Sequence, residues 1–225
     1  MTQRLTLSSP GQADLQGELA LPPPGMRAPA LVLVQEWWGV NDHVRSLADR
    51  FSREGFIVFA PDLFHGKTTK DANEARALMT ALDWKRALAE IASSVAFLGD
   101  HVHGNGKVGV TGFCLGGGLA FAAACNVEGI AAAVPFYGLP KPEFARWERV
   151  RAPIQAHFGE HDESVKASVG REVQAKLESI GRTMELHVYD AGHAFMNDTR
   201  PDAYNAEAAK LAWQRSVAFL KKNLT

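Results

Sequence analysis

A chain of 225 residues carrying a formal net charge of −1, with 46% hydrophobic and 22% charged residues, holds enough apolar material for one sizeable core and too much for a disordered segment. Charges of both signs are interspersed, which argues against the electrostatic footprint of a nucleic-acid or anionic-membrane partner. "MTQRLTLSSPGQADL" lacks the apolar run of a secretory signal. Cys114 and Cys125, if on one helix, stand roughly 16 Å apart, beyond disulfide reach, so free thiols in a cytoplasmic monomer are the expectation.

In chain order, "RLTLSS" and "LQGELAL" read as an antiparallel pair joined through Pro10-Gly11. "PALVLVQE" is the continuous aliphatic run of a strand buried on both faces. In "NDHVRSLADRFSREG", Val44, Leu47, Ala48 and Phe51 share one helical face, with Asn41 as cap and Gly55 as stop. "FIVFAPDL" predicts the next buried strand, and "FHGKTTKDANEARALMTALD" a polar loop with a short helix. Trp84, Ala87, Leu88, Ile91, Ala92, Val95 and Leu98 then repeat with helical spacing. "GKVGVTG" is a strand and "LGGGLAFAAACN" a helix of small residues; "GIAAAVPFYG", "APIQAHFGE" and "MELHVYD" supply three further strands. The intervening and closing helices carry Val169, Val173, Leu177 and Ile180, then Trp213, Val217, Leu220 and Leu224. Repeated strand–helix units predict an α/β fold, an about eight-stranded, mostly parallel sheet with helices on both faces, in one domain over residues 1–225.

The chemistry centres on "GKVGVTGFCLGGGLAF". A strand ends, one residue is forced into a sharp turn between glycines, and a helix begins. This is the nucleophile elbow, here G-x-C-x-G in place of G-x-S-x-G, which lifts Cys114 above the carboxyl edge of the sheet and sets its sulfur at the positive end of a helix. The plainer reading is a buried small residue at a helix start. A nucleophile needs a base, and the base an orienting acid. "FGEHDESV" offers Asp162 and "YDAGHAF" offers His193, each just past a strand's carboxyl end, in the nucleophile–acid–histidine order of this fold. The oxyanion donors expected are the backbone N–H groups of Leu115, next to the nucleophile, and Trp37, in the exit loop "VQEWWGVND". Glu36, an acid in that loop, gains a use beside a thiol as a switchable partner for S–H.

His157 and His161 diverge on a strand and its following turn, so no metal site is read there, and no cofactor motif is present. Glu160, Glu163 and Asp190 read as solvated loop acids, His187 as structural, and His43 and His65 receive no role.

The chain resembles the dienelactone hydrolase (carboxymethylenebutenolidase) family over nearly its whole length, through "QEWWGVNDHVRSLADRFSREGFIVFAPDLF", "KVGVTGFCLGGGLAF" and "AGHAF". The resemblance implies a capless α/β-hydrolase with Cys114, Asp162 and His193 as triad. It further implies a resting thiol hydrogen-bonded to Glu36, which takes the proton when substrate arrives and frees the thiolate to attack a lactone or ester carbonyl. Two arginines that grip a substrate carboxylate in the family have no counterpart: Asn197 stands four residues after the histidine, and Ala72 and Asn73 stand at the other position, with Arg76 one turn on. Arg76, Lys67, Lys70 and Arg200 are the available replacements, and Trp37, Trp38, Phe64, Tyr137 and Phe195 the expected apolar wall. The leading expectation is a cysteine-dependent hydrolase of small lactones or esters. A broad esterase or thioesterase, and a non-catalytic ligand-binding or redox-responsive protein, remain open beside it.

Overall fold

The computed structural model describes residues 2–8, 14–25 and 27–225. Its sheet is built from β1 (Gln3–Leu7), β2 (Leu15–Ala20), β3 (Ala28–Val34), β4 (Ile57–Pro61), β5 (Gly104–Phe113), β6 (Ile130–Phe136), β7 (Ile154–Gly159) and β8 (Met184–Tyr189), in the order β1-β2-β4-β3-β5-β6-β7-β8. β1 and β2 run antiparallel to their neighbours and the other pairings are parallel. The turn expected at Pro10-Gly11 lies outside the described residues.

The helices are α1 (Asp42–Arg53), α2 (Ala72–Ala81), α3 (Trp84–Gly99), α4 (Leu115–Asn126), α5 (Ala167–Ser179) and α6 (Ala206–Leu224). Strand β3 explains why they divide between two faces. Ala30, Val32 and Val34 enter a core roofed by α3, α4 and α5, while Leu31 and Leu33 enter one roofed by α1 and α6. Period-two alternation sends successive side chains to opposite faces, so both faces of a central strand must be apolar. The local signals act as read: Asn41 Oδ1 accepts the Val44 N–H at 3.2 Å, and Gly55 turns the chain at φ +99.

Beneath the carboxyl edge, β7 and β8 are tied to α6 through His157, which is fully buried. Its partners fix the tautomer. The Ser216 hydroxyl already donates to Ala212 O at 2.8 Å, so it accepts from Nε2–H at 3.0 Å, as does Gln155 Oε1 at 3.1 Å. Nδ1 then accepts from the Tyr189 hydroxyl at 2.8 Å. Burial first, then the charges of His187 and Arg215, push His157 well below the usual histidine range, so it stays neutral in the fold.

The unfolded chain takes up this proton as pH falls through about 6.5, whereas the fold refuses it, so stability is lost below that pH. The His157 contribution at pH 5.5 relative to pH 7.5 is a loss of roughly 1 kcal/mol. Urea midpoints at the two pH values measure it. His157→Gln, less stable throughout, should show a visibly shallower pH slope; an unchanged slope would assign the acid lability elsewhere.

Candidate active site

Three loops at the carboxyl edge bring the central groups together. The first is the elbow between β5 and α4. Cys114 sits at φ 57, ψ −114, a backbone region that costs a non-glycine residue about 1–3 kcal/mol. The surroundings enforce it: Cys114 N–H donates to Phe136 O at 3.1 Å, and a Cβ on Gly112 would stand 2.2 Å from Gly116 O. Only glycine permits this crossing of strand and helix.

The second loop follows β7. Asp162, 3% exposed, accepts the backbone N–H groups of Ser164 and Val165, both at 2.8 Å, through Oδ1. That leaves Oδ2 for His193 Nδ1 at 2.7 Å. The third loop follows β8 and turns at Ala194, φ 60, which aims His193 Nε2 at Cys114 Sγ, 3.1 Å away. Carboxylate, imidazole and sulfur thus form one hydrogen-bonded line. Burial alone would pull the His193 pKa down. The hydrogen bonds to Asp162 and Cys114, with the charges of both, outweigh it and raise the value to about 10. These partners favour the imidazolium, the form that can balance a thiolate and donate a proton.

Leu115 is the first residue of α4, so its N–H has no intrahelical acceptor, and Trp37 lies in the exit of β3, the strand beside β5. Gly116 seats that exit: a Cβ there would meet Val34 O at 2.3 Å and Gln35 O at 2.6 Å.

Glu36 departs from expectation. Its Oε2 accepts Asn197 Nδ2 at 2.7 Å, Oε1 has no hydrogen bond of regular geometry among the described residues, and the cysteine is bonded to His193 instead. Asn197, expected among substrate contacts, is 1% exposed and spends its amide on Glu36 and Thr199. Thr199 gave no sequence signal, because its role depends on how the loop after His193 folds back.

A cavity of about 490 Å³ opens beside this amide, lined by Trp38, Asn41, Thr69, Lys70, Ala72, Asn197, Thr199 and Arg200. Trp38 packs edge-on to Trp37 at 4.8 Å and under the Arg200 guanidinium at 5.6 Å. Lys70 and Arg200 thus stand in the lining, although Arg200 is already paired with Asp202 at 2.6 Å.

Other expected contacts lie elsewhere. Arg76 is exposed on α2 and outside this lining, because the helix turns the neighbouring Ala75 to the core. Lys67 and Phe64 border a separate cleft beneath α2 and α3; Asp62 accepts the Phe64 N–H and turns that ring into the core. Phe195 is fully buried among Phe136, Tyr137 and Tyr189. Tyr137 is also buried, its ring edge-on to His193 at 5.1 Å, so it backs the imidazole instead of walling the cavity. Among the described residues, no group of three potential metal ligands occurs, and no helix is long and apolar enough to cross a membrane.

Comparison with known proteins agrees with this architecture. The model of the dienelactone hydrolase family matches residues 15–224. A carboxymethylenebutenolidase of Pseudomonas sp. (strain P51) is 32% identical over 233 residues, covering 99% of this chain and 96% of that protein. Protein usf of Aquifex pyrophilus is 36% identical over 220 residues, 94% of each chain. A crystal structure from Klebsiella pneumoniae subsp. pneumoniae, provisionally named a dienelactone hydrolase, superposes with a TM-score of 0.87 at 27% identity, over 97% of each chain. Matched along almost its entire length, the chain belongs to the dienelactone hydrolase family of carboxylic ester hydrolases.

Proposed function

We propose that this protein hydrolyses lactones or small esters by nucleophilic catalysis at Cys114. The observation that carries the reading is the hydrogen-bonded line from Asp162 through His193 to the Cys114 sulfur, 2.7 and 3.1 Å long. Sγ attacks the carbonyl carbon, and the oxygen that gains charge is met by the N–H groups of Leu115 and Trp37. As the tetrahedral adduct collapses, His193 gives its proton to the departing oxygen, leaving a thioester on Cys114. Water then adds to the thioester while His193 takes its proton, and the acid product leaves as the sulfur regains its place on the imidazolium. Asp162 keeps Nδ1 donating, so that Nε2 always faces the reaction. In a lactone the departing oxygen stays tethered to the acyl group, so water releases one hydroxy acid and no separate alcohol.

Substrate enters over Trp38. The cavity beside Asn197 suits a compact acyl or alcohol group against an indole face, with Lys70 and Arg200 at its rim. Relatives named carboxymethylenebutenolidase favour a lactone among the ester substrates. The broad-esterase reading is favoured by the missing arginine fork, since an amide cannot grip a carboxylate as a guanidinium does.

The acyl-enzyme is the testable intermediate. Rapid mixing with an excess of p-nitrophenyl trimethylacetate should give a burst of nitrophenolate close to one equivalent per site. Mass spectrometry of the acid-quenched protein should find the acyl group on the peptide that contains Cys114. Turnover with no burst and no adduct on that peptide would exclude this covalent route.

A further inference from the structure

Two buried side chains at the carboxyl edge are only half satisfied. Glu36, 3% exposed, has Oε2 filled by Asn197, while Oε1 makes no hydrogen bond of regular geometry among the described residues. The Tyr137 hydroxyl is fully buried, close to Glu36 and under the influence of Cys114, yet makes no hydrogen bond of regular length and angle. Asn197 is locked more firmly than either. Its Oδ1 accepts the Thr199 N–H at 3.1 Å and hydroxyl at 2.6 Å, and its own N–H donates to Ala194 O at 2.9 Å. Those partners fix which end of the amide is which: the acceptor faces the threonine, so the donor faces the glutamate.

A thiol has one proton to offer, and the site contains two acceptors for it, the His193 imidazole and the Glu36 carboxyl. The sulfur lies on the imidazole. We propose that Asn197 is a positioning residue that holds Glu36 off Cys114, so that the sulfur–imidazole pair is assembled before any substrate binds. An amide supplies a hydrogen bond without a charge. Among the described residues no cation pairs with Glu36, so a carboxylate on the substrate is not needed to arm the enzyme. The inference rests on hydrolysis at Cys114 and narrows its substrates to esters and lactones whose turnover does not depend on an anionic substituent.

The test measures alkylation of Cys114 by iodoacetamide in the substrate-free protein at pH 7. It is read beside kcat, KM and melting temperature with a neutral aryl ester. Wild type should react readily. Asn197→Leu should slow alkylation by about tenfold or more, the equivalent of one hydrogen bond to a charged group, with kcat falling in step and KM little changed. In a Glu36→Ala background the same substitution should have no further effect, because the group it restrains is gone. Equal slowing in both backgrounds, or unaltered alkylation in Asn197→Leu, overturns the proposal. If Asn197→Leu does not fold, Asn197→Ser removes the donor with a smaller side chain, and the same comparison decides.

A second arm compares paired lactones with and without a carboxylate: kcat values within about tenfold support the proposal, and a larger preference for the anionic member overturns it. Full turnover by Cys114→Ala would instead remove the parent reading. Alkylation and its dependence on residues 36 and 197 report on this one separately.

Discussion

Cys114→Ala is expected to lower kcat/KM for aryl acetates and enol lactones by at least about 10⁴, while the melting temperature stays within a few degrees of wild type. The size follows from what is removed. Without sulfur there is no acyl-enzyme, and the remaining oxyanion donors and imidazole can only assist direct attack by water. The small effect on stability follows from the position. Cys114 is part-exposed, and its strained backbone is imposed by the crossing of β5 and α4, which alanine leaves intact. Turnover near the wild-type rate would remove Cys114 from the reaction and direct attention to Glu36 or His193 as the activating group for water. A protein that only bound a small ligand would lose nothing measurable in hydrolysis, having none to lose. Ligand-induced stabilisation without turnover in the wild type is the mark of that alternative.

The fold was legible because each of its main signals is local. Continuous aliphatic runs mark β3 and β4 as strands buried on both faces, and the helical face of α1 lies between the cap Asn41 and the stop Gly55 that the sequence names. The elbow is legible for the same reason, since crowding at Gly112 arises within five residues of chain. Asp162 and His193 could be chosen from chain order and strand ends alone. What could not be read is where a side chain goes when two partners compete for it. Asn197 lies four positions from His193, which suggests a substrate contact. Its amide borders the cavity but is also held by Thr199, which captures Oδ1 and thereby aims Nδ2 at Glu36, 161 residues away in the chain. Phe64 and Phe195 were hard to assign for a related reason. An aromatic ring beside a catalytic loop faces core or cavity according to backbone hydrogen bonds, such as the one Asp62 makes to Phe64, that no periodicity encodes.

Gly116→Ala should be a severely damaging single-methyl change at this site. A Cβ there would fall 2.3 Å from Val34 O and 2.6 Å from Gln35 O. Neither oxygen can rotate away as a side chain would, because both belong to the backbone where β3 ends. Either α4 slides outward or the end of β3 is pushed from the sheet, and the loop it feeds carries Glu36 and Trp37. The cost should exceed about 3 kcal/mol, which lowers the melting temperature of a chain this size by roughly 6–12 °C. The folded fraction should also lose kcat out of proportion to its population, since displacing Leu115 from Trp37 by even about 1 Å would spoil the oxyanion pocket proposed for these two residues. Gly25→Ala is the control, because nothing lies within 4 Å of a Cβ at that position. Calorimetry and initial rates on both variants separate the two effects. A Gly116→Ala protein with wild-type melting and wild-type kcat would mean that the close approach of β3 and α4 does not hold the elbow in register.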